Sequence, residues 1–132
     1  MSEPKRKSVL IVEDTDSVQA TLKRWIVNEG YDVDLASDGR EALEHITSNV
    51  PDLILLDVMM PGLNGFAVCR ELRDNARTKD TPIIIITGLH TALDSNEGKL
   101  SGANEVIVKP VDKDEITRRV RAYLGSVFTR PA

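Results

Sequence analysis

Three runs of four consecutive apolar residues, Val9–Val12, Leu53–Leu56 and Ile83–Ile86, limit most strongly what this chain can fold into. Each lacks the polar alternation of a strand with one wet face. Strands buried on both faces belong to parallel sheets with helices on either side. The intervening segments carry the helical period. Val18, Leu22, Trp25 and Ile26 make one apolar stripe over about 16–29, and Gly30 suits the position after that helix. Asp38 with Glu41 and Asp112 with Glu115 have capping-box spacing. They open helices carrying Ala42, Leu43 and Ile46 in one case, and Ile116, Val120, Tyr123 and Leu124 in the other. Phe66, Cys69 and Leu72 mark a helix over about 65–74, and a polar, weakly anchored one is expected over 92–101. Tyr31–Ala36 reads as a half-buried edge strand and Glu105–Val108 as the last strand. Pro61-Gly62 and Asn64-Gly65 are turn dipeptides. The alternation gives five βα units. It predicts an α/β, doubly wound, five-stranded parallel sheet with right-handed crossovers.

The 132 residues suffice for one domain with a substantial core and are too few for two. A formal net charge of −4 argues against direct nucleic-acid binding, which wants a basic face. The single cysteine, Cys69, excludes an intramolecular disulfide and fits a reducing compartment. No apolar run reaches the length of a signal-peptide core or a membrane span, so a cytoplasmic location without membrane insertion is expected.

Ligands of open parallel sheets bind beyond the carboxyl ends of the strands. That rule selects Glu13 and Asp14 after the first strand, Asp57 at the end of the third, Thr87 after the fourth and Lys109 after the fifth. Three neighbouring carboxylates repel one another, and a hard divalent cation such as Mg²⁺ relieves the conflict while keeping positions for phosphate oxygens. An acidic cluster beside a lysine is thus a phosphoryl site. Asp57 is the candidate nucleophile, Lys109 and the cation the candidate neutralising charges, and Thr87 a hydrogen-bond donor to phosphate.

These residues, in this order, resemble the receiver domain of two-component response regulators. The resemblance rests on the acidic pair Glu13-Asp14, the stretch Leu55-Leu56-Asp57-Val58-Met59-Met60-Pro61-Gly62, Thr87, and Lys109-Pro110. It covers residues 7–125, leaving 1–6 and 126–132 as flexible termini. It implies a flavodoxin-like (βα)5 fold with strand order 2-1-3-4-5 and Asp57 as phosphoacceptor. The metal ligands would be Glu13, Asp14, Asp57 and the backbone carbonyl of Met59, with Mg²⁺ as the ion and Mn²⁺ as a substitute. Thr87 and Lys109 would stabilise phosphate and throw the switch, and the Lys109–Pro110 bond would be cis. The implied partners are a sensor histidine kinase or histidine phosphotransfer protein and a downstream effector or output domain reached through the 4-5 face, with room for a phosphorylation-dependent dimer. The implied chemistry is self-phosphorylation and self-dephosphorylation rather than turnover of a substrate. The chain departs from the family pattern at Val106, where an aromatic switch residue is usual. Apolar Met59 and Leu89, along the path of attacking water, imply slow loss of the phosphate.

Plainer roles suit the remaining candidates. Asp16 reads as a solvated turn or capping residue, Cys69 as a core thiol, His45 as a surface helix residue, His90 as a loop residue, and Arg118, Arg119 and Arg121 as the solvent side of the last helix. Met60 is expected against the sheet. A pseudo-receiver acting as a phosphorylation-independent binding module is the alternative function, and Val106 is the feature in its favour. A phosphatase of the haloacid-dehalogenase kind needs a second aspartate two residues after its nucleophile, where this chain has Met59. A flavodoxin's phosphate would be repelled by Glu13-Asp14, and no Gly-x-Gly-x-x-Gly or P-loop lysine is present.

Overall fold

A computed structural model describes residues 6–57, 59–60, 63–88 and 102–125. In chain order the elements are β1 (Ser8–Val12), α1 (Asp16–Asn28), β2 (Asp32–Ala36), α2 (Gly39–Ser48), β3 (Leu53–Asp57), β4 (Met59–Met60), β5 (Leu63–Asn64), α3 (Gly65–Asp74), β6 (Ile83–Thr87), β7 (Glu105–Val108) and α4 (Lys113–Leu124). The helix expected over 92–101 lies outside the described residues, as do the termini.

Five strands form one parallel sheet in the order β2-β1-β3-β6-β7, which is 2-1-3-4-5 when only its own strands are counted. The register sets Leu10 beside Asp34 on one side and Ile54 on the other, Leu55 beside Ile84, and Ile85 beside Val106. The pleat then sorts the apolar runs onto two faces. Leu10, Val12, Ile54, Leu56, Ile83 and Ile85 pack with α2 and α3 through Ala42, Ile46, Phe66, Cys69 and Leu72. Val9, Ile11, Leu53, Leu55, Ile84 and Ile86 pack with α1 and α4 through Leu22, Ile26, Ile116 and Val120. Both faces are covered, which is why the runs need no polar alternation.

The helix signals work as side-chain chemistry dictates. The Asp38 and Asp112 carboxylates accept from the backbone N–H groups of Glu41 and Glu115 at 2.8 and 3.1 Å. Gly30 takes φ 96°, the left-handed conformation that closes α1. No helix among the described residues is long and apolar enough to cross a membrane.

The structure changes several local expectations. Tyr31 is not part of the edge strand. It precedes β2, is buried, and donates its hydroxyl to the Gly125 carbonyl, tying the end of α4 to the sheet. Asn64 belongs to a short antiparallel pair, β4 with β5, in which Met59 faces Asn64 and Met60 faces Leu63. His45 is a partly exposed residue of α2. Its Nε2 lies 3.3 Å from Asp34 Oδ2, because α2 lies against β2 and position 45 falls at their margin. Of the basic residues on α4, Arg118 is exposed. Arg119 pairs with Glu105, and Arg121 reaches Glu29 at 3.4 Å.

Candidate functional site

The register brings the strand ends to a common rim. Val12 pairs with Leu56, Asp57 with Ile86, and Thr87 with Val108, so the ends of β1 and β6 flank Asp57 and the end of β7 lies one strand further along the same rim. Glu13 and Asp57 are almost sealed from solvent, at 1% and 3% exposure. Lys109, more open, extends its Nζ to 3.1 Å from Asp57 Oδ2 and 3.3 Å from Glu13 Oε2. One ammonium thus serves two buried carboxylates. The other Glu13 oxygen accepts from the Thr15 backbone N–H at 3.2 Å. Asp14, the most accessible of the three acids, completes the cluster. One carboxylate oxygen from each of Glu13, Asp14 and Asp57 lies within 4.8 Å of the others.

The electrostatics follow from this crowding. Burial pushes the Glu13 carboxyl above its ordinary value, and the charge and hydrogen bonding of Asp57 push it further, against the opposing pull of Lys109 and the Thr15 N–H. Burial alone would lower Lys109, but its hydrogen bonds to Asp57 and Glu13 and their charges outweigh that and leave it raised. The same contacts thus raise both Glu13 and Lys109 above their ordinary values.

Thr87 is fully buried at the end of β6, where its carbonyl accepts from the Lys109 N–H at 2.7 Å. Strand alternation puts it on the face of Ile85, the residue that pairs with Val106. Val106 packs against the α2–α3 side of the core. The Lys109–Pro110 peptide bond is cis. Met59 opens β4 shortly after Asp57. The Met59 and Met60 side chains lie outside what is described, as do Leu89 and His90. Cys69 is buried in the α3 core. Asp16 is exposed at the start of α1.

The donor set suits a hard divalent cation. Two carboxylates share one ammonium and a third, Asp14, lies beside them, so the cluster has more acids than its ammonium can neutralise and offers only oxygen ligands.

The family model for the response regulator receiver domain matches residues 9–121. The chain belongs to this family. Response regulator ArlR of Staphylococcus saprophyticus is 44% identical over 116 residues, covering 88% of this chain and 51% of that protein. The receiver domain here thus spans about half the length of that curated relative. Among solved structures, the chemotaxis protein CheY4 of Vibrio cholerae matches at TM-score 0.85 and 32% identity, over 91% of this chain and 100% of that one. The receiver domain of sensor histidine kinase PA1611 from Pseudomonas aeruginosa PAO1, which has a magnesium ion coordinated in its active-site cleft, matches at TM-score 0.81 and 29% identity, over 92% of this chain and 100% of that one.

Two residues of this receiver domain escape a reading of residue types. Gln19, on α1, donates its amide to the Glu13 and Ala36 carbonyls at 3.0 and 3.4 Å. Arg73, at the end of α3, donates to the Gly102 carbonyl at 2.7 Å and to Asn104 Oδ1 at 2.6 Å. Both meet groups contributed by distant parts of the chain, and no local spacing announces such partners.

Proposed function

We propose that this receiver domain is a phosphorylation switch in which Asp57 accepts a phosphoryl group from the phosphohistidine of a sensor histidine kinase or a histidine phosphotransfer protein. The observation that carries this reading is the position of Lys109 between two buried carboxylates, Asp57 and Glu13. A structural ion pair would need one acid. A second acid beside it, with a third within reach, makes sense where more positive charge and then a phosphoryl group arrive.

In the transfer, a carboxylate oxygen of Asp57 attacks phosphorus in line with the departing nitrogen. The P–N bond breaks and its electron pair stays with the imidazole. Lys109 keeps its proton and offers fixed positive charge to the oxygens of the transferring group. Thr87, at the adjoining strand end, donates its hydroxyl to one of those oxygens. Glu13, Asp14, Asp57 and the Met59 carbonyl would hold Mg²⁺, or Mn²⁺ in its place, which supplies the further charge neutralisation that phosphoryl transfer requires. The chemistry is confined to gain and loss of this one group, and no external substrate is turned over. The engaged Thr87 then biases the 4-5 face, to which β7 and α4 contribute, between two states that bind a downstream effector or output domain differently. Since Val106 has no ring to reorient, the change is carried by the backbone and the packing beside it.

Incubation with acetyl phosphate and Mg²⁺ is expected to add one phosphoryl mass to the intact chain. The adduct should be absent from Asp57→Ala and prevented by a chelator. An unmodified wild-type mass with every phosphoryl donor would overturn the proposal. Capture of partners by wild type and Asp57→Ala, with and without donor, separates the switch from a phosphorylation-independent binding module, for which the partners would be the same in all four samples.

A further inference from the structure

Glu13 and Asp14 lie in the turn between β1 and α1, not in a strand or helix. Few bonds hold that turn. The Glu13 N–H donates to the Ala36 carbonyl at 3.0 Å, and the Gln19 N–H donates to the Thr15 carbonyl at 2.9 Å. Thr15 is the N-cap of α1, yet its side chain caps nothing. The Thr15 N–H instead donates to the Glu13 carboxylate at 3.2 Å. That last bond uses an oxygen that a cation would claim. The Gln19 side chain is different. Its Nε2 donates to the Glu13 carbonyl at 3.0 Å and to the Ala36 carbonyl at 3.4 Å. Both partners are acceptors, which settles the orientation of the amide. Gln19 is half-buried and touches none of the carboxylates through these bonds. The Glu13 peptide is thus held on both sides, its N–H by the edge strand and its carbonyl by α1, with no demand on the acidic oxygens.

We propose that Gln19 is a positioning residue for the acidic pair. It holds the turn in place when Glu13 gives its carboxylate to a divalent cation, and it keeps Glu13 and Asp14 aligned with Asp57. The inference rests on the metal-dependent reading of the site given above. Outer contacts of this kind orient ligands that would otherwise have to be ordered by the metal itself.

The test uses the whole chain. Gln19→Met keeps the length of the side chain and removes both donors. Gln19→Lys restores an N–H donor on a side chain one bond longer. Mg²⁺ binding to the unphosphorylated proteins is measured by calorimetry. It is checked by the emission of Trp25, the single tryptophan, which lines the groove running to Lys109. Gln19→Met is expected to weaken Mg²⁺ binding roughly 10-fold, the usual size of such an outer contact. Gln19→Lys should recover most of that loss. Amide exchange at Glu13–Thr15 should be faster in Gln19→Met and near normal in Gln19→Lys, with cation absent. Wild-type Mg²⁺ affinity in Gln19→Met would overturn the proposal, and so would a loss that Gln19→Lys fails to recover while both variants melt as wild type does. If either variant is unfolded, Gln19→Leu and Gln19→Arg make the same comparison. A wild-type chain that neither binds Mg²⁺ nor takes up phosphoryl would defeat the functional reading itself. A wild type that does both, alongside an unaffected Gln19→Met, would defeat only the role of Gln19.

Discussion

Burial of Glu13 beside Asp57 makes its proton harder to remove in the folded chain than in the unfolded one. Its contribution to stability in cation-free solution is therefore full below the ordinary carboxyl value of 4.5 and is lost as pH rises through the higher folded value. Glu13→Gln should remove that loss. Denaturant titrations without divalent cation are expected to show Glu13→Gln the more stable protein at pH 7. The advantage should vanish near pH 4. Equal stabilities at pH 7 would contradict the crowding described here. Lys109 behaves in the opposite range. Its folded pKa is raised, so its stabilisation is complete below 10.5 and is lost as pH rises through the folded value. Lys109→Met leaves Asp57 and Glu13 without their ammonium and should destabilise the cation-free chain at pH 7 by about 1–3 kcal/mol. None of these residues is unusual in type. Their distances to each other make them a site, and those distances are set by other parts of the chain.

The helices and their connections are legible in the sequence to different degrees. Asp38 and Asp112 could be read in advance because a cap acts within its own turn. Asp38→Ala and Asp112→Ala should each cost about 1 kcal/mol. The two costs should add in the double variant, since α2 and α4 cover opposite faces of the sheet. Equilibrium unfolding of the three variants measures this. The Arg73 network could not be read in advance. The guanidinium reaches carbonyls of Thr78, Thr81 and Gly102 and the Asn104 side chain, and Asn104 in turn accepts the Ile83 N–H at 2.9 Å. Gly102 stands at φ 90°, and a Cβ there would lie 2.7 Å from Arg73 Cγ. Gly102→Ala combines an unfavourable backbone conformation with that clash and should destabilise the fold by about 1–3 kcal/mol. A melting temperature unchanged in Gly102→Ala would show that Arg73 can move aside at no cost.

At the level of the whole molecule, the two core clusters share every strand that lies between them, so the sheet couples the helices of one face to those of the other. Such a chain should unfold in a single transition. A cation that binds only the folded state raises stability by an amount set by its concentration, about 2.7 kcal/mol at one hundred times the dissociation constant. Since burial and the neighbouring Asp57 raise the Glu13 carboxyl, protons compete better with a cation there, and stabilisation by Mg²⁺ should shrink as pH falls from 8 to 5. Melting scans at fixed Mg²⁺ across that range test this. A cation effect independent of pH would remove Glu13 from the ligand set.

The sequence by itself determined the class of fold, the number of sheet strands and which residues end them. These follow from short-range rules: apolar runs without alternation, caps within one turn, and the pleat's period of two. It also pointed to Glu13, Asp14, Asp57, Thr87 and Lys109, because the ends of parallel strands share one edge of a sheet. The tertiary structure decided how those residues meet. It placed one lysine between two buried acids, raised the Glu13 carboxyl, drew His45 toward Asp34, and set Gln19 and Arg73 on carbonyls of other segments of the chain. Hydrogen bonds and charges act over a few ångströms, whereas the residues they join are separated by up to 96 positions. Only the folded sheet converts the second separation into the first.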